Sequence, residues 1–305
     1  MTRLAPRYAV GPKAGGRGLA PGGRATRMPR DPERTLMQPC LVDAHVHLYD
    51  RFEPHAILAA AAENAARLAG EFGLDAATPA FLLLTLTARE RPLDRFFAKA
   101  PAPWTKTRLD EIGTLRFSAT GKPDVHIVPG SQVVSREGLE VLALATGERP
   151  AEGRPAKETL DEVRAAGGIA VLPWGIGKWT GRRAAVVREL IEGGDPAAFF
   201  LGDIAGRLGM WPRPALLGEA EARGYRVLPG TDPLDFAGEE RSIARLGFRA
   251  TFDPADPAAS LKAGLHALTA SPRAGGRNET PWRFVRHQFA LQIRKRFGQG
   301  RKPSG

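Results

Sequence analysis

From Leu41 onward the apolar residues fall into short runs, and these alternate with longer segments of helical periodicity. Runs at 41–48 (LVDAHVHL), 80–87, 114–119, 125–129, 139–145, 168–174, 199–204, 226–230 and 248–253 predict strands. The spacing at 54–70, 90–99, 155–166, 182–193, 214–223, 236–246 and 257–268 predicts helices among them. Strands alternating with helices of about a dozen residues imply βα units on a largely parallel sheet. A 236-residue body with seven to nine strands then points to an α/β fold, a distorted TIM-like (β/α)7–8 barrel, closed or nearly so. No Gly-x-Gly-x-x-Gly follows the first strand, which speaks against a dinucleotide-binding sheet.

The flanks read differently. Residues 1–36 hold eleven Gly or Pro and no apolar period, and are expected to be a disordered tail. They carry eight basic and two acidic residues, net +6, and residues 273–305 carry nine basic and one acidic, net +8. The overall charge of +11 therefore sits in the tails, while 37–272 is net −3. Nucleic acid or an anionic membrane would meet the tails and not the central body. Within the C-terminal tail, 281–297 places Trp282, Val285, Phe289 and Ile293 on one face of a basic amphipathic helix. The expected organisation is a basic tail at 1–36, the barrel at 37–272, and a basic helix and tail at 273–305. Met28 and Met37 stand ahead of the first strand as alternative starts to Met1. A single cysteine, Cys40, excludes an internal disulfide and an all-cysteine metal site. No run approaches the ~18 apolar residues of a membrane span, and a cytoplasmic location is expected.

In a parallel barrel, chemistry collects where strands end. The first predicted strand carries Asp43, His45 and His47, and a period of two points all three to one face. Two imidazoles so placed can share one cation, with Asp43 a third ligand or an orienting partner. Asp203 (in FFLGDIAGR) and Asp232 (in RVLPGTDPL) offer carboxylates at two later strand ends. Asp232 is suited to be a final ligand or a base, or an ordinary turn residue before Pro233. Asp203 is a further candidate base, unless it simply pairs with Arg207 four residues on. The loop PWGIGKWTGRR (173–183) gathers Lys178, Arg182 and Arg183 beside glycines, a composition that can hold a phosphate, sulfate or carboxylate. Its plainer reading is an exposed basic turn over Trp174 and Trp179. Arg207 and Arg136 are weaker members of the same anion-binding set. His126 reads as a core histidine, His55 and His266 as helix residues, and His287 as part of the basic tail.

On these residues the chain resembles the PHP (polymerase and histidinol phosphatase) metal-dependent hydrolases and, more distantly, the amidohydrolase superfamily. The resemblance spans about 41–253 and rests on DAHVHL (43–48), VPGSQVVSREGLEVLALAT (128–146), GGIAVLPWG (167–175) and RGYRVLPGTDPL (223–234). It implies a distorted (β/α)7 barrel using up to three metal ions for phosphoester hydrolysis. Asp43, His45, His47 and Asp232 match that pattern, whereas Gln132 stands at a ligating Glu, Pro173-Trp174 at a His-Pro, and Pro233-Leu234 at an Ala-His. The retained set implies one divalent ion (Zn, Mn or Fe), or two if Asp203 or Glu90 joins.

The expectation is a metal-dependent hydrolase acting on a small anionic ester or amide. His45, His47 and Asp232 would be ligands, Asp43, Asp203 and Asp232 the catalytic carboxylates, and Lys178, Arg182, Arg183 and Arg207 the substrate cations. The alternatives are a metal-depleted barrel that binds an anionic ligand or partner protein, and a protein acting on nucleic acid or membrane through its basic tails.

Overall fold

A computed structural model of the chain describes residues 37–208 and 210–278. The expectations for residues 1–36, for the helix at 281–297 and for the rest of the tail beyond 278 lie outside the described residues. In chain order the strands begin with β1 (Gln38–Val46), β2 (Ala80–Leu84), β3 (Thr105–Arg108), β4 (Leu115–Ser118), β5 (Val125–Val128) and β6 (Gly130–Val134). They continue with β7 (Glu140–Leu144), β8 (Ile169–Pro173), β9 (Phe200–Ile204), β10 (Val227–Gly230), β11 (Leu246–Phe252) and β12 (Ala274–Gly276). The helices are α1 (Pro54–Glu71), α2 (Leu93–Phe96), α3 (Ala156–Ala165), α4 (Arg182–Gly193), α5 (Ala215–Ala222) and α6 (Pro257–His266).

The barrel expectation is overturned. The strands form two sheets, one ordered β12-β11-β1-β2-β5-β4-β3 and the other β10-β9-β8-β7-β6. Nor is the arrangement largely parallel: among the described residues six strand pairings are antiparallel and four parallel. The reason lies in the connections. Parallel neighbours need a crossover of about a dozen residues or more, whereas the links from β3 to β4, β4 to β5 and β6 to β7 are too short for anything but a reversal. Where the periodicity predicts a helix over 236–246, only a 3-10 turn at Glu239–Ser242 forms. With no full crossover helix after β10, the chain re-enters as β11 antiparallel to β1.

The inner faces of the two sheets share one core. Val42, Ala44, Phe81 and Leu83 from the first pack with Leu142, Leu144, Val171, Phe200 and Leu228 from the second. Each outer face is covered by helices. On the first sheet, α1 opens on Pro54, whose fixed φ suits a first turn, and buries Ile57, Leu58, Ala61, Ala65 and Leu68. On the second, Leu160 and Val163 of α3 and Val187 and Ile191 of α4 pack over Ala170, Leu172 and Leu201. β3 lies at one edge of the first sheet, and all four of its residues (TKTR) are exposed.

The sheets meet at short backbone contacts and not through a continuous ladder. At one side Gly230 ends β10 directly against β1, where an added Cβ would fall 2.5 Å from both the nitrogen and Cβ of His45. Only glycine permits that approach. At the other side a single bridge joins Leu86 to Ser131 beyond the end of β2.

Candidate metal centre

The seam between β1 and β10 is where the candidate chemistry gathers. β1 is buried from Cys40 onward, and its C-terminal end delivers His45 and His47, both buried. Two residues past β10, Asp232 adopts φ 50, a left-handed conformation that a short polar side chain tolerates better than most. Its N–H donates to the His45 carbonyl at 2.8 Å, which fixes this corner against β1.

Three donor atoms converge as a result. His45 Nε2 lies 3.3 Å from His47 Nε2 and 3.5 Å from Asp232 Oδ1, and His47 Nε2 lies 3.7 Å from the same oxygen. Donors around one ion at metal–ligand distances of about 2.0–2.2 Å stand roughly 3.0–3.6 Å apart. His45, His47 and Asp232 thus form a group that can bind a metal ion, and their donor chemistry, two imidazoles and a carboxylate, suits a divalent transition metal.

Glu90 stands behind this trio. Both its oxygens lie 3.1 Å from His47 Nδ1, and they also accept from the backbone N–H groups of Leu48 (3.1 Å) and Thr87 (2.7 Å). A carboxylate there keeps the proton on Nδ1 and turns the Nε2 lone pair toward the centre. His45 has no such support, since its Nδ1 is buried without a hydrogen-bond partner.

The electrostatics separate the two imidazoles. Burial, reinforced by the neighbouring His47 and Lys178 charges, pushes His45 down to about 4 despite Asp232 and Glu140. Burial also opposes protonation of His47, but the hydrogen bond and charge of Glu90, with Asp232, outweigh it and raise its pKa. For Asp232, burial works against ionisation, and His45, His47 and Lys178 together overcome it, holding the carboxyl below its ordinary value.

The other residues singled out in the sequence are placed as follows. Asp43 faces backbone: Oδ1 accepts from the N–H of His45 at 3.2 Å and Thr231 at 2.7 Å, and Oδ2 from Ala244 at 2.9 Å. Burial pushes its pKa up to about 6 against those bonds. Asp203 pairs with Arg207 at 3.3 Å, and Arg207 also donates to the Trp211 carbonyl at 3.0 Å. Arg183 donates to the Gly177 carbonyl at 2.9 Å, and Arg182 is exposed at the start of α4. Lys178 forms an ion pair with Glu140 at the head of β7. Because β7 runs antiparallel to β8, and β8, β9 and β10 run parallel, this pair lies at the same end of the second sheet as the corner after β10 that carries Asp232. Trp174 and Trp179 pack against the core beneath that loop. His126 is buried and stacked on Phe81, with ring centroids 4.2 Å apart.

Sequence reasoning missed two members of this neighbourhood. Tyr49 stacks on His47 with centroids 5.5 Å apart, and burial, with the nearby Asp232 and Glu90 charges, raises its pKa so that the phenol keeps its proton. Its place two positions after His47 continues the period-two spacing and was the available signal. Glu140 carried no local signal at all.

No family model matches the chain, and no curated protein does. Among solved structures it is similar to the crystal structure of PsfC from Pseudomonas syringae PB-5123, at 14% identity and a TM-score of 0.47, covering 84% of this chain and 99% of that one. Among the described residues, no helix is long and apolar enough to cross a membrane.

Proposed function

We propose that this protein is a metal-dependent hydrolase of small anionic substrates, with phosphoesters the foremost class and amides the second. The observation that carries the reading is the convergence of His45 Nε2, His47 Nε2 and Asp232 Oδ1 with Glu90 behind His47. The DAHVHL segment and its resemblance to the PHP hydrolases support it. A divalent ion held by these three side chains would supply a hydroxide-like nucleophile at neutral pH and polarise the scissile group.

The chain's own groups do the rest. Glu90 keeps His47 in the ligating tautomer. Asp232, ionised at neutral pH, gives Oδ1 to the cluster and leaves Oδ2 to accept a proton from the attacking water. Lys178 at the border supplies positive charge for the substrate's anionic oxygens. Tyr49 covers one face of His47, limiting its exposure to water. A cytoplasmic setting agrees with the lone, buried Cys40 thiol.

The test is elemental analysis of untagged protein beside a His45→Ala/His47→Ala double variant, with phosphomonoester and amide substrates assayed on both. Near-stoichiometric Zn, Mn or Fe and turnover in the wild type, both lost in the variant, are expected. Turnover that survives in the variant refutes the reading. A second reading, an anion-binding protein that uses no metal, is favoured by one observation: Asp43 and Asp203 are already engaged by backbone N–H groups and Arg207. Anion binding with unchanged affinity in chelator is its signature.

A further inference from the structure

Resting on that reading, the Lys178–Glu140 pair identifies how the site admits its substrate. Lys178 belongs to the loop between β8 and α4, and Glu140 to the start of β7 in the same sheet. The Lys178 stem packs closely on its own loop. Gly175 lies so close beneath the Lys178 stem that an added Cβ would stand 2.7 Å from Cδ. Gly177, at φ 71, adopts the left-handed conformation that glycine favours, and its carbonyl is held by Arg183 at 2.9 Å. The Lys178 ammonium bonds Glu140 Oε1, with the lysine side chain 42% exposed and the glutamate 17%.

The pair stands at the end of the second sheet where the donor trio lies: β8, β9 and β10 run parallel and β7 runs antiparallel to β8, so the start of β7, the loop after β8 and the corner after Gly230 share one end. Lys178 acts on His45 and Asp232, and Glu140 acts on His45, His47 and Tyr49. Of the other cations of the 173–183 loop, Arg183 donates to a loop carbonyl and Arg182 is exposed at the start of α4.

We infer that Glu140 is an internal stand-in for the substrate anion: its carboxylate occupies Lys178 in the resting site, and a phosphate-type dianion exchanges for it. Glu140 is therefore a specificity-determining residue. A monoanion offers Lys178 no more than Glu140 already does, whereas a dianion binds Lys178 with greater charge. The substrate class that follows is the phosphomonoester, ahead of carboxylates and phosphodiesters.

The test measures binding of inorganic phosphate by calorimetry to wild type, Glu140→Gln, Lys178→Gln and the double variant, each with and without chelator. Removing a partly exposed ionic competitor should tighten phosphate binding by about two- to fivefold in Glu140→Gln. Lys178→Gln should weaken it by about tenfold or more. In the double variant the gain from Glu140→Gln should vanish, because no lysine remains to be released. Diffuse removal of negative charge would instead give the same gain in both backgrounds, and that result overturns the proposal, as does an absence of phosphate binding to both wild type and Glu140→Gln. The coupling between the two positions is expected in chelator as well. Its presence in a protein that takes up no metal would refute the hydrolase reading alone, so the two failures are distinguishable.

Discussion

Glu90 holds both carboxylate oxygens 3.1 Å from His47 Nδ1 across a separation of 43 residues, and it does so while accepting two backbone N–H groups. Its own bonds to His47 and Thr87 outweigh burial and keep it ionised below the ordinary glutamate range. Glu90→Gln retains the shape and an acceptor but loses the charge that orients the imidazole. Metal affinity is expected to fall by about 10–100-fold, with little change in melting temperature, as read by metal titration beside thermal unfolding. Unchanged affinity would mean that His47 is oriented by something other than Glu90.

Asp43 and Asp232 are expected to fail in opposite ways. Asp43→Ala strands three backbone N–H groups in a buried setting and should cost about 2–4 kcal/mol of stability. Asp232→Asn keeps a residue suited to positive φ and should leave the fold intact while metal uptake is lost. Urea unfolding with metal analysis on both variants separates a structural carboxylate from a ligating one. A stable Asp43→Ala protein that has lost its metal would exchange their assignments.

His126 gives the stability a pH dependence. Burial, with the Arg116 charge, pushes it from 6.5 down to about 3, so the folded chain keeps the ring neutral while the unfolded chain takes up a proton. Its contribution is complete above about pH 6.5 and is lost as pH falls, by roughly 2 kcal/mol between 6.5 and 5. Asp43 acts in the opposite sense, because its raised pKa lets the folded state gain a proton from about pH 6 downward. The His126 part is isolated by comparison with His126→Phe, which keeps a ring on Phe81. The wild type should lose stability more steeply than the variant over that window. Parallel curves would show that His126 does not contribute.

Gly230→Ala tests the seam itself. The new methyl would press on His45 at the point where β10 meets β1, and Asp232 follows two residues later. A loss of about 1–3 kcal/mol is expected from the forced shift, together with weaker metal binding. A variant with normal metal affinity would show that the corner moves independently of β1.

Much of this fold is legible in the alternation of apolar runs, because a strand buried on both sides, such as β1 or β8, is marked by its own residues. Strand partners are not so marked. The same apolar face serves a parallel or an antiparallel neighbour, and the choice at β6–β7 rests on a five-residue connection, 135–139, whose Gly138 has φ 76. β3 was invisible because an exposed TKTR carries no apolar period, and β12 because Ala-Gly-Gly has almost no side chain to read. At the site, His45 and His47 announce themselves by spacing along one strand. Glu90 and Glu140 owe their roles to partners 43 and 38 residues away, which only the folded chain brings near.

The backbone contact of Gly230 with His45 also decides the order in which this protein would come apart. Each sheet carries its own ladder of hydrogen bonds and its own helical cover, whereas at the site the two are joined by the close approach of Gly230, the Asp232 amide on the His45 carbonyl and the Thr231 amide on Asp43. A local opening at that corner leaves both ladders and the core they share in place and yet pulls the histidines from the aspartate. In a denaturant titration the centre should therefore fall silent while the circular dichroism is still native, and the Asp232 amide should exchange with deuterium ahead of the strands on either side.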